Sequence, residues 1–83
     1  MQVISYTVGN ENDFGVTSAA KLVKIAAESG CTVTLDRGGR TVNAKKLYAV
    51  MGLGIEQGDV LTLTISGPAE RHTADNIRAL LLS

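Results

Sequence analysis

Tryptophan is absent from this chain, and cysteine, proline and histidine occur once each. A single cysteine, Cys31, excludes an intramolecular disulfide. With only His72 to join it, Cys31 cannot build a four-ligand structural zinc site, and no metal is expected. Neither sign of charge prevails, since eight Lys/Arg balance eight Asp/Glu for a formal net charge of zero. A duplex-binding module draws its affinity from excess cations that displace counterions from phosphates, so a nucleic-acid partner is not expected. Only Tyr6, Phe14 and Tyr48 are available to stack on single-stranded bases. The longest apolar stretch, Leu47 to Ile55, falls far short of a bilayer span and contains Gly52 and Gly54, so no membrane insertion is expected. The opening Met-Gln-Val-Ile-Ser-Tyr-Thr-Val lacks the basic start of a signal peptide, and the expected location is the cytoplasm. Glycine-rich phosphate loops are missing as well, and no cofactor is expected.

What is present is the composition of a small globular domain, 83 residues at 45% hydrophobic and 19% charged. At this length the whole chain, residues 1–83, reads as one domain. Gln2, Ile4, Tyr6 and Val8 alternate with Val3, Ser5 and Thr7, which is the pattern of a half-buried strand. Gly9-Asn10-Glu11-Asn12-Asp13 is polar and turn-forming. From Val16 the period changes: Ala19, Leu22, Val23, Ala26 and Ala27 make one apolar stripe of a helix that Gly30 ends. Thr17 and Ser18 are the expected N-caps, because their hydroxyls can accept from first-turn amides.

Cys31, Val33 and Leu35 alternate with Thr32, Thr34 and Asp36 as a second strand. Gly38-Gly39 supplies a tight hairpin into the short strand Arg40-Thr41-Val42-Asn43. Leu47, Val50, Met51 and Gly54 mark a helix of about two turns. After Gly58-Asp59, Leu61, Leu63 and Ile65 face one way along a fourth strand, with Thr62 and Thr64 opposite. Ser66-Gly67-Pro68 opens a last helix, with Pro68 expected at its first position and Ala74, Ile77, Leu80 and Leu81 as its stripe. The order is βαββαβα. It predicts an α+β two-layer sandwich, a four-stranded mostly antiparallel sheet with three helices on one face.

The run Gly39-Arg40-Thr41-Val42-Asn43-Ala44-Lys45-Lys46-Leu47-Tyr48-Ala49-Val50-Met51-Gly52-Leu53-Gly54 resembles HPr, the histidine-containing phosphocarrier of the bacterial sugar phosphotransferase system. Ala19-Ala20-Lys21-Leu22-Val23 is similar to the middle of that family's first helix, and Gln57-Gly58-Asp59 to its third turn. The likeness runs essentially end to end and implies an open-faced HPr-like sandwich. In the family, the loop entering the first helix carries a phosphate-accepting histidine, an arginine and a proline. Anchored on Ala19-Ala20, this chain has Gly15 in place of the histidine, Thr17 in place of the arginine and Ser18 in place of the proline. Lys46 stands where many members carry a serine that a regulatory kinase phosphorylates.

A phosphocarrier of this kind needs imidazole, because nitrogen is nucleophilic near neutral pH and an N-phosphoryl bond keeps its transfer potential. Gly15 has no side chain, and Thr17 offers one neutral hydroxyl instead of a charged fork. The resemblance therefore implies an HPr-like protein without carrier chemistry and no enzyme. It implies a regulatory or protein-binding relative, with protein partners in the phosphotransferase system or in transcription regulation. The face expected to bind them is Phe14, Gly15, Val16 and Thr17 with Lys46, Leu47, Tyr48 and Met51. The plainer reading of the same residues is that Gly15 turns the chain, Leu47 and Met51 are core, and Tyr48 is a lone surface ring. Two other functions stay open. One is a phosphocarrier that uses a non-standard residue; the other is an anion or small-molecule module on Thr17 and Ser18. His72 and Cys31 are expected far from Gly15, as an exposed helix residue and a small core residue respectively.

Overall fold

The computed structural model describes residues 1–9 and 14–82. The expected turn at Asn10–Asp13 lies outside the described residues. The elements run β1 (Gln2–Thr7), α1 (Val16–Glu28), β2 (Thr32–Arg37), β3 (Arg40–Asn43), α2 (Leu47–Met51), β4 (Val60–Ser66) and α3 (Glu70–Leu82). The four strands form one sheet in the order β1-β4-β2-β3, and each pairing is antiparallel, which makes the sheet wholly rather than mostly so. Arg37 pairs with Arg40, leaving Gly38 and Gly39 as a two-residue turn. Their φ values of 58° and 89° are those that the tightest hairpin turn demands and that side chains resist.

Period-2 alternation sorts the sheet into two faces. Ile4 pairs with Leu63 and Leu63 with Leu35, and this row turns toward the helices and is buried. The opposite face carries Val3, Ser5, Thr34, Thr62 and Thr64 and is left open. Leu63 and Leu35 are completely buried, so Leu63→Ala is expected to cost about 2–5 kcal/mol. Helix α1 closes the core with Ala19, Leu22 and Ala26, and α3 does so with Thr73, Ala74, Ile77 and Leu81. No helix among the described residues is long and apolar enough to cross a membrane.

Four local expectations need correcting. Ala27 is exposed, because the stripe through Ala19, Leu22 and Ala26 already faces the sheet and the next position rotates off it. Thr17 and Ser18 are not N-caps: Gly15 holds that position with no side chain to cap with, and both lie inside the helix's first turn. Helix α2 is five residues, not two turns. It closes where Gly52 N–H donates to Tyr48 O at 2.8 Å, and Gly54 stands beyond it at a φ of 64°. Pro68 is not the first residue of α3. The chain turns through Pro68 and Ala69, Glu70 N–H donates to Gly67 O at 3.2 Å, and the helical ladder begins with Thr73 N–H donating to Ala69 O at 2.9 Å.

Candidate functional site

The start of α1 and the end of α2 meet at a cleft of about 200 Å³. Phe14, Gly15, Val16 and Ala19 supply one side; Val50, Met51, Gly54 and Ile55 supply the other. Ala19 and Val50 belong to the core at 3% and 1% exposure, so the floor is fixed by packing. The rim is different. Val16 is 62% exposed, Met51 44% and Tyr48, one turn before Gly52, 89%.

Gly15 is the N-cap of α1, at φ −86° and ψ −168°, and its carbonyl accepts from Ala19 N–H at 3.0 Å. Any residue adopts that extended backbone. Apart from its chain neighbours, a Cβ built on Gly15 meets no atom of the described residues within 4 Å. The position is open, not one that geometry reserves for glycine.

The entry to α2 is built by Asn43, whose Oδ1 accepts from Lys45 N–H at 2.9 Å and whose carbonyl accepts from Lys46 N–H at 3.1 Å. This local side-chain bond is how asparagine organises a turn. Ala44 is fully buried and its N–H donates to Val33 O at 2.9 Å, which pins the turn to the sheet. Lys46 is the N-cap of α2, is exposed, and its side chain caps nothing. Past α2, Arg37 Nε donates to Asp59 Oδ2 at 2.6 Å and Arg37 Nη1 to Leu53 O at 2.7 Å. The guanidinium bond to Asp59, then the Glu56 N–H donated to the same oxygen at 2.7 Å, hold this carboxyl below its ordinary 3.8.

Of the residues expected to form the binding face, Phe14, Gly15, Val16 and Met51 line the cleft, while Thr17, Lys46 and Tyr48 are exposed. Leu47 is half-buried and packs against the core. Tyr48 is therefore a surface ring and Met51 is not core. Sequence reasoning missed Ala19, Val50, Gly54 and Ile55 as cleft residues. Ala19 and Val50 carry a core pattern that says nothing of an opening above them, and Gly54 and Ile55 follow the helix with no period. Arg40 lines a separate hollow with Arg37, Gly58 and Asp59.

His72 and Cys31 lie at the other end of α1. His72 is exposed beside Glu28 and Ser29, with Nε2 3.4 Å from Asn76 Nδ2. Cys31 is buried, its Sγ 3.7 Å from Thr73 Oγ1. Thirteen helical residues separate that end from Gly15, or about 20 Å.

An antiparallel βαββαβα sandwich with a cleft where its first helix begins defines a class of small domain with solved members. Over all of this chain and 93% of the other, it is similar to HPr-C-His from Thermoanaerobacter tengcongensis, with a TM-score of 0.90 and 25% identity. Its likeness to Crh of Bacillus subtilis covers 93% of this chain and 84% of that one, at a TM-score of 0.73 and 26% identity. A family model described as the PTS HPr component phosphorylation site matches residues 3–83, and the chain belongs to the HPr family. The phosphocarrier protein HPr of Vibrio cholerae is 30% identical over 86% of this chain and 84% of its own length. That of Xylella fastidiosa is 40% identical over 82% and 75%.

Proposed function

We propose that this HPr-family chain is a non-enzymatic binding protein that carries no phosphate and acts through the face around Gly15. The observation that carries this is Gly15 itself. At the start of α1, where the family resemblance puts the acceptor histidine, there is no side chain, and the chain's one imidazole is on α3 about 20 Å away. A donor enzyme docked at the α1 end does not reach that ring. Thr17 leaves no cationic fork for phosphate oxygens, and a phosphoester on Thr17 or Ser18 is too stable to pass its phosphate onward. The apolar rim of Val16, Tyr48 and Met51 supports a protein partner, because exposed aromatic and thioether groups are favoured contact residues. Likeness to Crh, described as a catabolite repression protein, supports a regulatory role. The reading places the protein in the cytoplasm beside phosphotransferase-system or transcription-regulatory proteins.

Incubation with phosphoenolpyruvate and enzyme I, followed by intact-mass measurement, tests the chemical half. No phosphate is expected, and acid-labile phosphate at His72, or any stoichiometric phosphorylation, overturns it. Partner capture with Tyr48→Asp tests the other half. At 89% exposure the ring is not core, so the change should cost well under about 1 kcal/mol of stability. Affinity for the captured partner should fall about tenfold or more. Full binding by both Tyr48→Asp and Met51→Asp means that this face is not the site.

A further inference from the structure

The strand order β1-β4-β2-β3 places β1 at one edge of the sheet. A charge, a proline or a bulge is what keeps a sheet edge from accepting another strand. Strand β1, Gln2–Thr7, has neither charge nor proline, and all six residues pair with β4 in unbroken register. The opposite edge, β3, is only four residues long and begins with Arg40. Val8 N–H donates to Asp59 O at 2.9 Å. Counting back by twos, Tyr6, Ile4 and Gln2 also turn their backbone groups to β4, while Val3, Ser5 and Thr7 turn theirs outward. Among the described residues no strand lies there to meet them.

A second observation lies beside this edge, on the helix side of the sheet. There a hollow of about 200 Å³ opens between β1 and α3, lined by Ile4, Ser5, Tyr6, Arg78, Leu81 and Leu82. Leu82 is 84% exposed. Helix α3 starts near Met1, whose amine pairs with Glu70, and its end shares the hollow with Tyr6, so it runs the same way as β1. Arg78, one turn before Leu82, is therefore nearer the Ile4 end. Its Nη1 meets Asp75 Oδ1 at 3.3 Å on the surface, a pair weak enough to yield to a better-placed carboxylate.

We infer that β1 accepts an extended peptide segment of a partner protein as a fifth, antiparallel strand, with a large apolar residue at position i and a carboxylate at i+2. The outward groups of Val3, Ser5 and Thr7 supply the ladder, which is indifferent to sequence. Selection comes from the side chains. Positions i and i+2 of an added strand share its helix side. Running antiparallel to β1, the apolar residue meets Leu81 and Leu82 beside Tyr6, and the carboxylate meets Arg78 beside Ile4. A second copy of β1 fits less well, because Ile4, at 7% exposure, and Tyr6 already pack into their own core, and β1 has no acid for Arg78. This edge is separate from the face around Gly15, and the inference does not rest on the function proposed above.

The test uses the intact isotope-labelled protein and the end-blocked peptide Thr-Thr-Leu-Thr-Glu-Thr-Thr. Amide shifts should centre on Val3, Ser5 and Thr7, and hydrogen exchange at those amides should slow. N-methylation of the threonine between leucine and glutamate, whose amide faces β1, should weaken binding at least tenfold. N-methylation of the leucine or the glutamate, whose amides face away, should leave most of the affinity. Arg78→Gln should weaken binding about threefold and have no effect on a peptide with glutamine for glutamate. Leu82→Ser, at an exposed helix end that folding does not need, should weaken binding of either peptide. Shifts centred on Gly15 and Met51, equal losses from the two kinds of methylation, or no binding at millimolar peptide overturns the inference. So does a dimer of the free protein with the Val3, Ser5 and Thr7 amides protected, because the edge then belongs to a second copy. Phosphate uptake and partner capture by Tyr48→Asp read other residues, so this inference and the proposed function fail separately.

Discussion

Arg37 and Asp59, 22 residues apart, are joined Nε to Oδ2 at 2.6 Å, and the same guanidinium donates to Leu53 O at 2.7 Å. This clasp ties the end of β2 to the chain leaving α2. Because Leu53 and Asp59 are both held, the segment between them, with Gly54 and Ile55 on the cleft, is anchored at each end. A planar fork makes both bonds at once; an ammonium group does not. Arg37→Lys should therefore leave the domain folded but shift the amide signals of Gly54 and Ile55 and speed their hydrogen exchange. Unchanged signals there would show that the loop keeps its place without the clasp.

The same pair gives a pH dependence with a definite sign. Asp59 titrates below its ordinary 3.8 in the folded protein, so the folded state prefers the carboxylate. Its contribution is complete well above that value and is lost as pH falls through 3.8 toward the lower folded pKa. Asp59→Asn should be less stable than wild type in urea melts at about pH 7, and the gap should narrow as pH falls below 3.8 and close under the lowered folded pKa, where both side chains are neutral. A gap of constant size down to strong acid would place the effect in packing and not in charge.

Most of the fold was legible because its signals are local. Ile4, Leu35 and Leu63 stand on period-2 runs, Leu22 and Ile77 on helical stripes, and Gly38-Gly39 on a turn that few residue pairs can make. Helix ends were less legible. Thr17 and Ser18 are good caps by type, but the bond from Ala19 N–H to Gly15 O starts the helix two or three residues earlier than a cap at either would allow. Pro68 suits a first helical position, yet the bond from Glu70 N–H to Gly67 O spends that residue in a turn. For the site, the absence of a side chain at Gly15 was visible at once, whereas the cleft was not. It is made by two helices whose approach depends on contacts remote in sequence, as does the Arg37–Asp59 clasp.

Gly67 is fixed by a close approach. A Cβ there would lie 3.0 Å from Cys31 Cα and 3.2 Å from its Sγ, and φ is 149°. Backbone cannot yield as a flexible side chain can, so Gly67→Ala adds overpacking to an unfavourable conformation. The expected loss is about 2 kcal/mol or more, seen as a thermal midpoint lower by roughly 8–16 °C. Gly39→Ala is the control. Apart from its chain neighbours, a Cβ there meets no atom of the described residues within 4 Å, and φ is 89°, so only the conformational part, about 1–2 kcal/mol, should appear. Equal losses would mean that the contact with Cys31 relaxes freely.

Lys46 caps α2 by position but not by chemistry, since no side-chain bond is made there. Lys46→Ser offers a hydroxyl to the free amides of the first turn and should raise stability by about 0.5–1 kcal/mol. It also supplies the hydroxyl that the regulatory kinase of the family uses. The kinase should label Lys46→Ser and leave the wild type unlabelled. Label on wild-type Thr41, or elsewhere in the segment 40–54, would contradict this.

The chemical half of the proposed function can also be run in reverse. If carrier chemistry is missing only because its groups are missing, restoring them should restore some acceptance of phosphate. Gly15 tolerates the change: its φ of −86° suits any residue, and apart from its chain neighbours a Cβ there would meet no atom of the described residues within 4 Å. Thr17 is exposed in the first turn of α1, so an arginine there reaches solvent and any phosphate beside position 15 without displacing core. Replacing glycine at an N-cap costs little, a few tenths of a kcal/mol when a polar group takes its place. The double variant Gly15→His, Thr17→Arg should thus melt within a few degrees of wild type. It should also take up acid-labile phosphate from phosphoenolpyruvate and enzyme I at position 15. Gly15→His alone should accept more slowly, because no fork neutralises the incoming phosphoryl oxygens. Thr17→Arg alone should accept none. A folded but inert double variant would mean that the enzyme no longer docks here, locating the loss of function in the surface as well as in the missing imidazole. Phosphate on His72 in any of the four proteins would instead revive the reading of a carrier that uses a non-standard residue.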